Sequence, residues 1–362
     1  LGSLRSAQLS KIDLLEKKLA ELNGEYTERY GRLEASRPRN AYRSYDCSVH
    51  IDTEVLENNN YQVYNASGTL FHSETGELLI LTNFHVFQNA VGRFLLSAYA
   101  RFKTPGAYPQ PIELFAWDPV FDLAIAKFKT PPAYDGPIAT FGSSDNLRPG
   151  EAVIAVGSSG GFPFSCSAGV IQNTNGLTAF NSHPALRVRT PSVILHSAAF
   201  GPGNSGGPLI TADDGKVVGI NYAVMDKGDE GIRMNFYMAI PGDDMARVLP
   251  RLLGGGRVEH GWNGWLRFSD TCEIPSNRCP GGARPVREGV IISSGAYDLF
   301  DEPRPNAGDV VLALNGAPTP TRILLCRELM DAAPGSVAEL DVLRGDKFLK
   351  IKLPIVKYEI PP

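Results

Sequence analysis

The chain has 362 residues, 43% hydrophobic and only 20% charged, which is length enough for about two domains with sizeable cores. A formal net charge of -4 without a basic cluster offers no electrostatic footprint for a nucleic acid. No run of about 18 consecutive apolar residues occurs, so no helix of this sequence is expected to span a membrane.

Residues 1–38 differ from the rest. Ile12, Leu15, Leu19, Leu22, Tyr26 and Leu33 recur at three-four spacing, with Arg29 interrupting the seam. Such a narrow apolar stripe predicts an amphipathic helix, as in a coiled coil. With about three heptads, it fits either a bundle joining copies of the chain or a helix lying back on its own protomer. The chain opens on Leu1 rather than methionine, which points to a processed N-terminus, with any signal peptide or anchor removed.

Beyond Pro38, short apolar runs separated by Gly, Pro and Asn turns predict a mainly β architecture. Leu79-Ile80-Leu81-Thr82-Asn83 reads as a buried strand running into Phe84-His85-Val86, which places His85 at a strand end. Of the six histidines it is the one that directly follows an apolar strand. His50 and His72 lie in polar or turn-like stretches, His183 precedes a proline, and His196 sits in an alternating strand pattern that suits a structural role. Asp118-Pro119-Val120-Phe121-Asp122 leads into the apolar strand Leu123-Ala124-Ile125-Ala126-Lys127-Phe128, so Asp122 stands at its mouth, placed to orient an imidazole.

Gly203-Asn204-Ser205-Gly206-Gly207-Pro208-Leu209 sets a serine on a tight loop, where the Gly203 and Ser205 amides would point at one oxyanion position. A serine hydroxyl needs a base to remove its proton, and the base needs a carboxylate to fix its tautomer. Each residue alone has a plain reading: a packed histidine, a turn-capping aspartate, a glycine-rich connector. Together, the order His85, Asp122, Ser205 is that of the chymotrypsin-type triad.

At this point the sequence resembles the HtrA/Deg serine proteases. Leu81-Thr82-Asn83-Phe84-His85-Val86, Phe121-Asp122-Leu123-Ala124 and Ala198-Ala199-Phe200-Gly201-Pro202-Gly203-Asn204-Ser205-Gly206-Gly207-Pro208-Leu209 look like that family's three catalytic blocks. Three further segments match in order: 141–150, 215–221 and Phe236-Tyr237-Met238-Ala239-Ile240-Pro241. The likeness covers roughly residues 45–250. It implies a trypsin-like protease domain of two six-stranded antiparallel β-barrels over 42–250, with His85 as general base, Asp122 as its orienter, Ser205 as nucleophile and the Gly203 and Ser205 amides as the oxyanion hole. Phe200, Ile220, Asn221 and Tyr222 are implied for the substrate pocket. No acidic residue is in place there, so cleavage after apolar residues is expected, with bulky Phe200 favouring small ones. The loop 157–167 replaces the family's activation segment; its glycines suggest mobility and a hole that orders only when a peptide or partner binds.

Leu252-Leu253-Gly254-Gly255-Gly256-Arg257 reads as a linker. Residues 256–358 resemble a PDZ domain, through Asn306-Ala307-Gly308-Asp309-Val310-Val311-Leu312-Ala313-Leu314-Asn315-Gly316 as a strand and hairpin, a helix over 321–333, and closing strands over 337–343 and 348–353. Gly264, Trp265 and Leu266 lie where such a domain binds a peptide carboxylate; the competing reading makes Trp262, Trp265 and Phe268 core aromatics. The segment 270–282 departs from the family as an insertion. Within it, Cys272 and Cys279 suit a local disulfide and an oxidising compartment, and lack the spacing and partners of a zinc site. With Cys47, Cys166 and Cys326 the cysteine total is odd, so at least one thiol is free or intermolecular.

The resemblance implies an ATP-independent serine endopeptidase for misfolded or regulatory proteins. It also implies peptide recognition by the PDZ domain, a homo-oligomer with a trimer favoured, and a periplasmic or cell-envelope setting. No cofactor, metal or nucleic acid is called for, and membrane association would come only through a segment absent from the chain. The competing reading is a catalytically silent, chaperone-like peptide-binding scaffold on the same fold.

Overall fold

The computed structural model describes residues 18, 45–88, 93–103, 108–174, 192–227, 233–263, 266–270, 289–295, 300–301 and 303–358. The expected N-terminal helix (but for Lys18), Gly264, Trp265, Cys272 and Cys279 lie outside the described residues.

Strands β1 (Ser48–Glu57), β2 (Asn60–His72), β3 (Leu78–Asn83), β4 (Arg93–Arg101), β5 (Gln110–Asp118) and β6 (Leu123–Phe128) run in the order β5-β4-β1-β2-β3-β6, and β6 pairs back onto β5 to close a barrel. The β1–β2 hairpin turns through Asn58 and Asn59, both at positive φ, the backbone a two-residue turn needs to match strand twist. Strands β7 (Ala152–Gly157), β8 (Ser165–Asn173), β9 (Ile194–His196), β10 (Pro208–Thr211), β11 (Val217–Lys227) and β12 (Arg233–Pro241) close a second barrel in the order β10-β11-β12-β9-β8-β7. The expected pair of six-stranded barrels is present.

Each barrel has its own interior, around Val49, Ile51, Leu70 and Ile80 in the first and Val153, Ile171, Ile194 and Leu209 in the second. A further core, including Leu81, Leu123, Ile210, Ile220 and Met238, joins the two. It fixes the barrels against each other.

The segment expected to be a linker is more ordered than its glycines suggest. Leu252 and Leu253 finish helix α1 (Gly242–Leu253), because Met245, Val248 and Leu252 form a stripe that buries into the inter-barrel core. Strand β13 (Gly256–Arg257) then pairs parallel to β5, with Gly256 beside Ala116. The C-terminal unit consists of β14 (Gly261–Trp262), β15 (Leu266–Asp270), β16 (Val290–Gly295), β17 (Val310–Leu314), β18 (Ala317–Pro318), helix α2 (Arg322–Asp331), β19 (Val337–Arg344), β20 (Lys347–Pro354) and β21 (Val356–Lys357). The path β15-β16-β17-β19-β20 forms its sheet, and Leu325 and Leu329 of α2 enter the core of this unit. The helix begins at Thr321, whose hydroxyl accepts the Leu324 amide at 3.3 Å.

Helix α2 is tied to the barrels by charge. Arg327 is buried, with Nε 2.5 Å from Asp244, which is itself fully buried and also accepts the Ser192 hydroxyl at 2.6 Å. Arg247 bonds Glu328 at 3.0 Å and also Asp331, while Arg251 reaches Asp331 at 3.0 Å. His260 adds a second buried tie: Nε2 lies 2.6 Å from Asp118 and Nδ1 3.1 Å from the Met330 carbonyl. The other Asp118 oxygen accepts the Val120 and Phe121 amides.

Candidate active site

Antiparallel pairing of β3 with β6 sets Asn83 opposite Leu123. The residues just past β3 therefore meet those just before β6, and that register brings His85 to Asp122. The Asp122 carbonyl accepts the Phe84 amide and the Asn83 side-chain amide, each at 3.0 Å. Its carboxylate accepts the His85 amide at 2.7 Å and faces His85 Nδ1 at 2.5 Å. Asp122 holds φ +53°, a left-handed conformation that an aspartate tolerates at a cost of roughly 1–3 kcal/mol when its surroundings fix it. Four hydrogen bonds fix it here, so the carboxylate is aimed before any substrate arrives.

The side chain of His85 remains 41% exposed. Burial of part of the ring disfavours its charged form, but the charge and hydrogen bond of Asp122 outweigh this and raise its pKa above 6.5. With Nδ1–H given to Asp122, Nε2 is left as the proton acceptor.

Ser205 comes from the second barrel, on the loop that enters β10. Its carbonyl accepts the Ser67 amide of β2 at 2.9 Å, which clamps the loop onto the first barrel. Gly206, at φ +87°, passes so close that a Cβ would lie 2.0 Å from the Thr82 hydroxyl oxygen and 2.2 Å from the Ser67 carbonyl. Gly203, at φ +102°, leaves only 2.1 Å between a Cβ and the Ser158 carbonyl. Only glycine fits either position. Among the described residues the Gly203 and Ser205 amides donate to no protein acceptor. The Pro202 carbonyl instead accepts from Gly160 at 2.8 Å, and in a trans peptide the Gly203 N–H then points the opposite way. Two unclaimed amides, one of them the serine's own and the other two residues before it, are what an oxyanion hole requires.

The hydroxyl of Ser205 donates to the Tyr222 carbonyl at 3.4 Å, and among the described residues it has no hydrogen bond to His85. A rotation about its Cα–Cβ bond is needed to bring it to Nε2; such contacts are commonly long before substrate binds.

In loop 157–167 the backbone is hydrogen-bonded at several points. Gly157 ends β7, residues 159–161 form one 3-10 turn, and Ser165 already begins β8. Gly161 bonds back to Ser158, the Ser165 hydroxyl accepts from Ser159, and the Ser159 hydroxyl accepts from Gly201. The turn is bonded to the nucleophile loop it borders.

The four pocket residues do not share one surface. Ile220 is fully buried in the inter-barrel core. Asn221 is fully buried as well, its amide nitrogen donating to the Val156 and Pro208 carbonyls at 3.0 and 3.2 Å. Strand β11 is covered on both faces there, so neither residue offers a wall to substrate. Tyr222 remains, its ring 6.4 Å from that of His85, and so does half-buried Phe200, its ring tilted against Tyr237 at 5.3 Å. His196 packs against both rings, at 5.7 and 6.2 Å; burial pushes its pKa down to about 3, so it is a neutral packing group.

In the C-terminal unit, the Leu266 side chain is core and its amide is already taken by the Asn263 side-chain oxygen at 2.6 Å. Phe268 and Trp262 also pack on that core, as the competing reading of these aromatics expects. Sequence reasoning missed His50, which is buried in β1 rather than lying in a polar turn. Its partner Ser158 is 108 residues away, and no local signal marks the pair.

Comparison with known proteins agrees with this geometry. The trypsin-like peptidase domain family matches residues 66–220. The chain is 31% identical over 301 residues to the serine protease Do-like HtrA of Bacillus subtilis, covering 79% of this chain and 63% of that protein. It is 32% identical over 215 residues to a probable periplasmic serine endoprotease, DegP-like, of Ectopseudomonas mendocina, covering 59% of this chain and 42% of the relative. The chain thus spans less than two thirds of the length of these relatives. Among solved structures, the HtrA-type protease AlgW with tripeptide superposes with a TM-score of 0.66 at 21% identity, covering 89% of this chain and 97% of that one.

Proposed function

From its place in the HtrA/Deg family of serine proteases, to which this chain belongs, we propose that it is a serine endopeptidase using His85, Asp122 and Ser205. The observation that carries the reading is the pair of unclaimed amides, Gly203 and Ser205, on a loop whose serine meets Tyr222, the residue that also packs beside a histidine held by a carboxylate. Ser205 Oγ attacks the scissile carbonyl as Nε2 of His85 takes its proton; Asp122 stabilises the imidazolium, and the two amides receive the oxyanion. Collapse of the intermediate returns the proton to the leaving amine, and water repeats the sequence on the acyl-enzyme.

Substrates are unfolded or regulatory proteins, cleaved without ATP after apolar residues that fit beside Phe200 and Tyr222. Terminal mapping of cuts in a chemically unfolded protein, with no nucleotide present, tests this. Cuts after small apolar residues are expected; dominant cuts after Lys or Arg contradict the pocket.

The unit over 256–358 is proposed as a PDZ domain that presents peptides to the protease, and the setting as the periplasm or cell envelope. Residues 1–38 are proposed to bundle copies of the chain into a trimer. Sedimentation of residues 39–362 is expected to give a monomer, and an unchanged oligomer contradicts that role.

A further inference from the structure

Outside the catalytic set, the barrels enclose a second histidine–aspartate–serine group. His50 of β1 places Nε2 2.9 Å from an Asp52 oxygen and Nδ1 2.7 Å from the Ser158 hydroxyl. Asp52 is held in turn by Asn65 at 2.8 Å and by Arg101. Burial disfavours the Asp52 carboxylate, but the bonds from His50 and Arg101 outweigh this and bring its pKa to about 2, so it is charged at any working pH. A charged carboxylate at Nε2 demands the ring proton there, which leaves Nδ1 as acceptor for the Ser158 hydroxyl. Both His50 and Ser158 are 1% exposed, so this serine cannot meet a substrate.

The group instead leads to the oxyanion loop. His50 is the register partner of Ser67 across the β1–β2 ladder, and the Ser67 hydroxyl touches the Ser158 hydroxyl at 3.4 Å and donates to the Gly203 carbonyl at 2.7 Å. The Ser158 main chain packs directly against Gly203, and Ser158 begins the turn whose Gly160 amide holds the Pro202 carbonyl. The peptides on both sides of Gly203 are thus gripped by residues that His50 braces, one through the Ser158 turn and one through Ser67. A small swing of the Pro202–Gly203 peptide would take the Gly203 N–H out of line, and a swing of the Gly203–Asn204 peptide would shift the chain that leads to the Ser205 amide; oriented donors lose their effect on the barrier when misaligned.

We propose that His50 is a positioning residue for the oxyanion hole, acting through Ser158 and Ser67 to set the direction of the Gly203 amide. The proposal rests on Ser205 being the nucleophile. Phosphonylation of the full-length wild-type chain by a fluorophosphonate, located by peptide mass, tests that premise without reference to His50.

The test of His50 compares the rate constant for inactivation with the half-saturating probe concentration in His50→Leu, His50→Asn and Ser158→Ala. In His50→Leu and Ser158→Ala the rate constant is expected to fall about 10- to 100-fold, short of the 10²–10³ for deleting a hole donor, while half-saturation stays within about twofold. His50→Asn, whose side-chain oxygen replaces Nδ1 as acceptor, is expected to regain most of the rate. Ser158→Ala removes a single oxygen and decides the matter if His50→Leu does not fold. Wild-type rates in folded Ser158→Ala overturn the proposal. So does a loss that tracks only the folded fraction by circular dichroism.

Discussion

Replacing Asp122 by asparagine is expected to lower kcat by about 10⁴-fold with little change in fold. The asparagine keeps the size and the oxygen that accepts the His85 amide, but its NH₂ group would face Nδ1 where the carboxylate now accepts. The imidazole then turns to its other tautomer, Nε2 carries the hydrogen, and it cannot take the Ser205 proton. The same variant moves the pH profile. Asp122 raises the His85 pKa, and catalysis needs the neutral ring, so wild-type kcat/KM falls on the acid side with a midpoint above 6.5. Without the carboxylate charge, the midpoint of the residual activity shifts down. Stopped assays across pH 5–9 read both effects (about pH 5–9 brackets an ordinary histidine). A variant within about tenfold of wild type would remove Asp122 from the catalytic set.

Asp244→Ala should give the largest loss of stability, about 3–5 kcal/mol, because it strands the buried Arg327 guanidinium. Burial pushes the Asp244 carboxyl up, and the Arg327 charge and the Ser192 and Arg327 hydrogen bonds oppose that shift. Asp145 is the remaining carboxylate, 3.3 Å from Arg327 and 58% exposed, too well solvated to compensate. Calorimetry should show an earlier transition, and proteolysis should open the connection around residues 254–260. The double variant Asp244→Leu, Arg327→Met should recover most of the loss, since an apolar pair needs no desolvation. A single variant that melts like wild type would mean that the pair does not hold the C-terminal unit to the barrels.

The proposed catalytic set is legible in the sequence because its residues stand at strand ends and in a glycine loop, where local pattern has few other uses. An apolar run ending at Asn83, an aspartate opening Leu123–Phe128 and a serine between glycines each carry their own signal. Buried polar pairing has no such signal. Arg327 reads as a solvent-facing charge on α2 until α1 is packed against it. His50 reads as a polar break, although Val49 and Ile51 beside it are fully buried, because its partner Ser158 comes from a distant turn. Asn221 was assigned to a pocket wall that barrel closure turns inward. The glycines after Leu253 suggested a free linker, yet the chain pairs along β5 almost at once. Long-range register decides these cases, and a single sequence does not display it.

Ser205 is proposed as a base-activated nucleophile rather than the tip of a structural turn. Incubating the full chain with a fluorophosphonate and weighing the intact protein and its peptides tests it most directly. One covalent adduct on Ser205 is expected, absent in Ser205→Ala and slowed in Asp122→Asn. A folded wild-type chain that stays unlabelled with peptide substrate analogues present and absent would contradict the claim and leave a peptide-binding scaffold.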